Sequence, residues 1–297
     1  MNTYKIPKKV EIIYFSGTGS TRKVAEQFTA SFTEKNIEAA NHELNHRDSY
    51  TLKKTDMLVI IYPVYATNAP EPIYDFISKL PYELRCPAVV ISVSGGGEVT
   101  PNKACRLHCI NRLEKKGYPV VYEQMIVMPS NFLAATPEEL AIRLLEVLPL
   151  KTNFIINELL SGVISRTRPD LFNRFLSFAG EIEKTAIAGK SYGKQIKVNS
   201  SCNGCGICQK GCPVDNIRIV NKKPVFDRKC SVCLKCIYAC PKKALQPTIA
   251  KFIVLKQGYP LKDWEKKVNS EKHYSIDELA KGYAFSGIRK YLKEDME

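Results

Sequence analysis

The feature that most constrains this chain is a direct repeat of cysteines near its carboxyl end. Eight of the eleven cysteines lie between Cys202 and Cys240, in two runs of the form C-x2-C-x2-C-x3-C-P. The second run repeats the first at a distance of 28 residues. Thiolates at short, fixed spacings are typical of metal ligands in a reducing compartment, where disulfides are rare. The repeat therefore predicts two metal centres in one small domain.

Two kinds of metal centre use closely spaced cysteines. A structural zinc site needs only pairs of C-x2-C and holds a single tetrahedral ion. The third cysteine at the next x2 step and the trailing Cys-Pro favour iron-sulfur clusters over zinc. The three remaining cysteines, Cys86, Cys105 and Cys109, lie outside the repeat and are expected to be small buried thiols.

The first half of the chain alternates short β-branched runs with longer amphipathic stretches. This alternation is typical of an α/β domain with a parallel sheet. The predicted strands are 10–15, 37–44, 57–62, 87–93 and 120–128, and the second of them is polar enough for a sheet edge. The predicted helices are 21–34, 72–80, 102–116 and 137–148.

A turn rich in glycine and hydroxyl groups follows the first predicted strand. Its residues are Ser16, Gly17, Thr18, Gly19, Ser20 and Thr21. A turn of this kind can be an ordinary helix cap, but its place before a helix in an α/β pattern favours phosphate binding through backbone N–H groups. The Gly-Lys-Ser/Thr ending of a nucleotide-hydrolase loop and the G-x-G-x-x-G pattern are both absent from it. The turn therefore predicts a site for a phosphate monoester.

Two further loops are expected at the same edge of the sheet. In a doubly wound sheet the ligand lies beyond the carboxyl ends of the strands, at the point where the strand order reverses. The candidate residues of these loops are Pro63, Val64, Tyr65, Ala66 and Asn68 after the third strand, and Ser94, Gly95, Gly96 and Gly97 after the fourth. Tyr65 either covers the face of a planar ring or simply packs, and the sequence favours neither.

Both halves resemble known families. The loops of the first half resemble those of flavodoxins, whose hydroxyl-rich loop holds the phosphate of FMN while two later loops embrace the isoalloxazine ring. The cysteine repeat resembles bacterial ferredoxins with two [4Fe-4S] clusters, in which the last cysteine of each run ligates the other cluster. The resemblance implies two crossed ligand sets, Cys202, Cys205, Cys208 and Cys240 for the first cluster and Cys230, Cys233, Cys236 and Cys212 for the second.

The order of the two halves is similar to that of the flavodoxin-ferredoxin fusion proteins of anaerobic bacteria and archaea. The resemblance implies an α/β flavodoxin-like doubly wound parallel sheet of order 2-1-3-4-5, followed by an α+β bacterial ferredoxin-like 2[4Fe-4S] domain. The expected divisions are 8–148 for the FMN-binding domain, 149–198 for a helical connector without strands, 199–246 for the ferredoxin domain and 247–297 for a tail with a helix over 276–292. An apolar periodic stretch over 171–182 predicts a helix in the connector.

Flavin accepts electrons singly or in pairs, whereas a [4Fe-4S] cluster passes one at a time. The expected function is therefore electron transfer that couples two-electron and one-electron carriers and delivers low-potential electrons to a partner protein. No catalytic acid, base or nucleophile is expected. The alternative is a ferredoxin-type docking module whose flavodoxin-like half has lost its flavin.

The formal charge of +14 raises the question of nucleic-acid binding. Two clusters and a flavin phosphate would lower this charge to about +8, and no nucleic-acid motif accompanies it, so a redox partner protein is expected instead. No apolar run approaches the roughly 20 residues of a membrane-spanning helix, and the amino terminus lacks the pattern of a secretory signal. The expected location is cytoplasmic.

Overall fold

The first half of the chain forms one parallel sheet. The computed structural model describes residues 4–45, 50–83, 86–186, 191–268, 280, 282 and 285–294. The strands of this sheet are β1 Lys9–Tyr14, β2 Glu38–Glu43, β3 Met57–Pro63, β4 Ala88–Ser94 and β5 Val120–Val127. Neighbouring strands are parallel and their order is β2-β1-β3-β4-β5, which confirms the predicted doubly wound sheet.

Helices cover both faces of this sheet. They are α1 Ser20–Glu34, α2 Glu71–Lys79, α3 Leu107–Lys115 and α4 Glu138–Leu160. The interior strands β3 and β4 are almost wholly buried, as their apolar runs require, because helices cover them on both sides. Strand β2 is only partly buried and forms an edge, as its polar sequence predicts. One apolar cluster lies with α1 and α4, and a second lies with α2 and α3.

Helix α4 is longer than the sequence pattern predicts. The pattern predicts an end at residue 148, because Pro149 cannot donate a backbone hydrogen bond. The helix instead continues through Pro149 to Leu160. Its buried face runs on past the proline through Ile155, Ile156 and Leu159, so packing on the sheet outweighs the lost hydrogen bond.

The connector and the cysteine repeat contain short elements. Helix α5 Leu171–Ala186 lies on the predicted apolar stretch. The later elements are β6 Ile196–Val198, α6 Ile207–Lys210, β7 Ile217–Val220, β8 Lys223–Phe226, α7 Lys235–Tyr238 and β9 Leu245–Pro247. Strand β6 pairs with β9, so the prediction of a connector without strands over 149–198 is wrong. A three-residue strand is too short to give a periodic signal.

The tail packs back onto the first half. Its elements are α8 Leu261–Glu265 and α9 Ser286–Lys293. Leu261 and Trp264 join the apolar cluster of α1 and α4, while Ile288 and Leu292 pack against α4. The predicted helix over 276–292 is described only in its last part, because 276–279, 281 and 283–284 lie outside the described residues. Across the described ranges, no helix combines the length and apolar character needed to cross a membrane.

Candidate cofactor sites

The eight cysteines of the repeat line two separate cavities. One cavity has Cys202, Cys205, Cys208 and Cys240 in its wall. The other has Cys212, Cys230, Cys233 and Cys236. Each cavity thus combines three cysteines of one run with the last cysteine of the other. This is the crossed arrangement that the resemblance to two-cluster ferredoxins implies.

The backbone around the two cavities repeats as the sequence does. The N–H of Asn216 donates to Cys212 Sγ at 3.2 Å, and the N–H of Ala244 donates to Cys240 Sγ at 3.3 Å. Backbone donors to sulfur stabilise negative charge on a thiolate and so help to set a cluster's potential. Within the described residues, no three His, Cys, Asp or Glu side chains lie close enough to bind a single metal ion directly.

The two cavities differ in their exposure to solvent. Cys205 of the first cavity is exposed, whereas Cys233 of the second is buried. Burial raises the pKa of the Cys230 thiol to about 12 and that of Cys236 well above its ordinary value. These thiols are therefore protonated at neutral pH unless a metal binds them, and cluster loading releases their protons.

The predicted phosphate loop has the geometry of a helix N-terminus. Ser16 Oγ accepts hydrogen bonds from the N–H groups of Gly19, at 3.2 Å, and Arg22, at 3.3 Å. Gly19 has a φ of 111°, a left-handed conformation that glycine adopts without strain. The N–H groups of Ser20 and Thr21 have no acceptor among the described residues. The loop therefore fits a phosphate monoester through its backbone donors.

Residues from distant parts of the chain cover this loop. Asn131 Nδ2 donates to Thr18 Oγ1 at 2.7 Å. Tyr259 OH donates to the carbonyl oxygen of Pro129 at 2.8 Å and also contacts Ser20 Oγ, so the Ser20 hydroxyl is the donor in that contact. Of the four hydroxyls of the loop, that of Ser20 thus donates within the chain and that of Thr18 accepts a hydrogen bond there. Asn131 and Tyr259 could not be assigned to the site from the sequence, because only the folded chain brings them to the loop.

The loop after β3 is held by α5. Tyr65 and Asn68 exchange backbone hydrogen bonds of 2.9 Å. Asn68 is fully buried, and its amide donates to the carbonyl oxygen of Ser177 at 2.7 Å and accepts from the Ser177 hydroxyl at 3.0 Å. The side chain of Asn68 is therefore directed to α5, and its predicted contact with a flavin stays a prediction. The same holds for the other predicted residues of this loop, Pro63, Val64 and Ala66.

Buried ion pairs hold the glycine-rich loop after β4 in place. Arg106 is 1% exposed and donates to Glu98 at 2.6 Å and to buried Glu123 at 2.7 Å. Ser94 Oγ accepts from the N–H of Gly96 at 3.2 Å. Since Glu98 follows the glycines directly, Arg106 anchors the loop to the core. Neither Arg106 nor Glu123 carried a sequence signal, because an isolated Arg or Glu in an α/β pattern is most often a surface residue.

The carboxyl end of the sheet lies directly against the second cysteine cavity. A Cβ atom at Gly17 would lie 3.1 Å from the Cβ of Cys233 and would also meet the Tyr65 hydroxyl, so only glycine fits there. Burial, and after it the Cys233 and Cys230 sulfurs, raise the pKa of Tyr65. The loops after β1 and β3 therefore converge on the second cavity. In the loop after β4, Gly95 packs closely on Ser130, where a Cβ at Gly95 would lie 2.7 Å from the Cα of Ser130.

A larger cavity of about 610 Å³ lies beside the second cysteine cavity. Tyr50, Tyr65 and Phe76 of the first half line it, together with Arg228 and Cys230 of the repeat. It forms an opening between the two halves that reaches a cysteine of the second set.

Sequence comparisons recognise both halves of the chain. The family model of the flavodoxin domain matches residues 11–123, and the model of the 4Fe-4S dicluster domain matches residues 194–253. A curated relative, one component of the ion-translocating oxidoreductase complex of Methanosarcina acetivorans, is 35% identical over 74 residues. That match covers 23% of this chain and 28% of the relative, so the chain spans about a quarter of the relative's length.

Solved flavodoxins are similar over half of the chain. An archaeal flavodoxin is 12% identical with a TM-score of 0.36, and the match covers 50% of this chain and 97% of that one. A flavodoxin of Streptococcus pneumoniae is 16% identical with a TM-score of 0.38, and the match covers 50% of this chain and 97% of that one.

The strand order and the paired cysteine cavities define an electron-transfer protein with a flavodoxin-like sheet and a ferredoxin-type domain. More particularly, the chain is a fusion of a flavodoxin domain and a 4Fe-4S dicluster domain.

Proposed function

We propose that this protein transfers electrons between FMN in its flavodoxin domain and two [4Fe-4S] clusters in its dicluster domain, and passes low-potential electrons to a partner protein. The observation that carries the proposal is the division of the eight cysteines into two crossed sets around two cavities, one of which adjoins Gly17 and Tyr65. When bound, the flavin takes up electrons in pairs or singly, and each cluster exchanges one electron at a time.

The chain's own residues supply position and charge. The backbone donors of Ser20 and Thr21, at the N-terminus of α1, would hold the FMN phosphate, and the loops around Tyr65 and Gly96 would hold the ring. The first set of cysteines would hold the outer cluster and the second set the inner one, next to the flavin loops. We propose 8–148 for the flavodoxin domain and 199–246 for the dicluster domain, with α4 running past the first bound to Leu160 and β6 lying just before the second.

Positive charge surrounds the outer cysteine cavity. Lys242 lines the cavity, and Lys223 Nζ donates to the carbonyl oxygen of Cys202 at 3.2 Å. Further exposed lysines nearby along the chain are Lys210, Lys222 and Lys243. This arrangement supports a redox partner with an acidic surface, and nucleic acid is no part of the proposal. A reducing cytoplasm is the proposed location, because it keeps cluster thiolates from forming disulfides.

The proposal is tested by anaerobic iron, sulfide and flavin analysis together with electron paramagnetic resonance of the reduced protein. We expect about eight irons and one FMN per chain and two interacting [4Fe-4S] signals. Zinc in place of iron, or a metal-free chain with disulfides, would contradict the cluster assignment. Full iron with no flavin, even after FMN is added, would contradict only the flavin assignment.

A second candidate function is a docking module whose flavodoxin domain holds no flavin. The contact of Ser20 with Tyr259 favours it, because the Ser20 hydroxyl donates to Tyr259 and this proton is then not offered to a phosphate. Replacing Tyr259 by Phe frees the Ser20 hydroxyl and separates the two functions. If the variant binds FMN and the natural protein does not, Tyr259 closes the site; if neither binds FMN, the docking module is the better description.

A further inference from the structure

Helix α5 exposes its apolar side to solvent and buries its polar side. Five large apolar residues face solvent, with exposed fractions between 50% and 81%: Leu171, Phe172, Phe175, Phe178 and Ile182. The face that packs on the protein carries Asn173, Ser177 and Gly180. Amphipathic helices of globular proteins normally bury their apolar face, as α1 does with Val24 and Phe28.

The inner face of α5 is polar and small for a structural reason. Ser177 is fully buried and bonds to Asn68 and to the carbonyl oxygen of Ala104 at 3.2 Å. A Cβ at Gly180 would lie 2.5 Å from Thr67 Oγ1, so the helix approaches the loop after β3 closely. These contacts fix the rotation of the helix about its axis. Its apolar side therefore points away from the protein in the folded state.

Cations border this apolar face. Arg168 and Arg174 are exposed at the amino-terminal end of α5, and Lys103 is exposed on the segment against which α5 packs. The exposed Asp170 is engaged by the backbone N–H of Asn173 at 2.9 Å, and Glu181 is paired with Arg112 at 3.3 Å. The local charge thus has the same sign as the formal charge of the whole chain, +14.

The apolar face of α5 and the cations beside it together indicate which kind of molecule could cover this face. A second copy would bring Arg168 and Arg174 of both chains together, and two copies with the same high charge repel each other. A partner protein would need a groove for a convex ridge of leucine and phenylalanine. A membrane with anionic lipid fits both the apolar face and the cations, because apolar side chains enter the acyl region and guanidinium groups bind the lipid phosphates.

We propose that α5 docks this protein on the surface of membranes that contain anionic lipid. Leu171, Phe175, Phe178 and Ile182 enter the outer part of the acyl region, and Arg168 and Arg174 lie at the level of the phosphates. The helix lies parallel to the membrane plane and does not cross it. The docking does not depend on FMN or on the direction of electron transfer.

The test is flotation of the anaerobically prepared protein with lipid vesicles. One set of vesicles contains phosphatidylglycerol and phosphatidylcholine in equal amounts, and the other contains phosphatidylcholine alone. We expect the natural protein to float with the first set and to bind the second much more weakly, with binding to the first set falling as salt is added.

Two pairs of substitutions separate α5 from the rest of the surface. Phe175→Ser with Phe178→Ser should lower the lipid partition coefficient roughly tenfold or more, because two inserted aromatic side chains are lost. The matched control is Leu150→Ser with Phe252→Ser, because these two apolar residues lie outside α5 and are 70% and 69% exposed. The control should change the partition coefficient by less than about twofold. Iron content and circular dichroism verify that both variants are folded.

Each of the following results would overturn the proposal. The first is natural protein that stays free of both vesicle sets. The second is a Phe175→Ser, Phe178→Ser variant that floats as well as the natural protein, or a control pair that loses binding equally. The third is a dimer in sedimentation velocity that the α5 substitutions dissociate, because the face would then be covered by a second copy.

Discussion

The flavodoxin domain and the dicluster domain are held together by different means. In the flavodoxin domain, apolar side chains on both faces of the sheet are wholly buried, among them Val59, Ile60 and Phe28. In the dicluster domain the buried apolar cluster is small, and six of the eight cysteines around it are only partly buried. A short chain segment with so little apolar core needs a metal centre for stability. One half is thus specified by hydrophobic packing and the other by ligand chemistry.

Cluster removal should affect the two domains most unequally. Stripping iron with a chelator should leave the amides of β6 to β9 exchanging at the rate of an unfolded chain, because their core is lost with the clusters. The amides of β3 and β4 should stay protected. Hydrogen exchange read by mass spectrometry checks both outcomes. Equal loss of protection in the two domains would show that they form one cooperative unit.

Removing the last cysteine of either run should remove one cluster. We expect Cys240→Ser to leave about four irons per chain, and Cys212→Ser to do the same. Adding Cys205→Ser to Cys240→Ser should cost no further iron, since both residues belong to the first set. Adding Cys233→Ser instead should remove the remaining cluster.

These two double variants test whether each cluster takes its fourth cysteine from the other run. Iron analysis and electron paramagnetic resonance give the readout. If Cys240→Ser with Cys233→Ser kept about four irons, each run would hold its own cluster. Cys105→Ser is the matched control, because Cys105 is fully buried in the flavodoxin domain and its loss should leave the iron content unchanged.

The flavodoxin domain should be sensitive to its buried charges. Arg106→Leu removes the 2.7 Å ion pair of Glu123, which is only 3% exposed, and leaves this carboxylate with the longer pair to Arg166 at 3.4 Å. We expect the free energy of unfolding of this domain to fall by about 3–5 kcal/mol, with no loss of iron. Urea unfolding followed by circular dichroism measures the change. Arg143→Leu, which breaks an ion pair on the surface of α4, should cost less than about 1 kcal/mol.

The smallest effect is expected at the basic rim of the outer cavity. Lys242→Glu should slow oxidation of the reduced protein by ferricyanide, an anionic probe, by a few-fold at low ionic strength. The difference should disappear at high salt, where charges are screened. Stopped-flow absorbance measures the rates. Lys54→Glu, just before β3 at the amino-terminal edge of the sheet, is the control, and an equal effect there would indicate general charge and not a local docking surface.

Much of the fold could be predicted because its signals are local. The apolar runs of β3 and β4 and the polar β2 indicated the sheet and its edge, and the repeated cysteine spacing indicated two metal centres. The end of α4 could not be predicted, since the packing of Leu159 and its neighbours on the sheet outweighs the local effect of Pro149. Strand β6 exists only through its pairing with β9, which is distant in sequence.

The candidate sites also contain some residues that local sequence signals predict and others that only the folded chain reveals. The hydroxyl-rich loop after β1 and the cysteine repeat are marked by residue type and spacing, the crossed cysteine sets were implied by the resemblance to ferredoxins, and phosphate binding by the loop stays a prediction. Asn131, Tyr259 and Arg106 could not be predicted, because each acts through a partner that the fold alone brings near. The outward apolar face of α5 was equally hidden, since periodicity shows that a helix has an apolar side but not which way that side points.

The contact between Ser20 and Tyr259 joins residues 239 positions apart. During synthesis the flavodoxin domain emerges from the ribosome first, and at that stage nothing from the carboxyl end is available to cover its first loop. The loop is therefore uncovered in the nascent chain until the segment that carries Tyr259 has been synthesised. A ligand that reaches the loop before that point meets no cover from Tyr259.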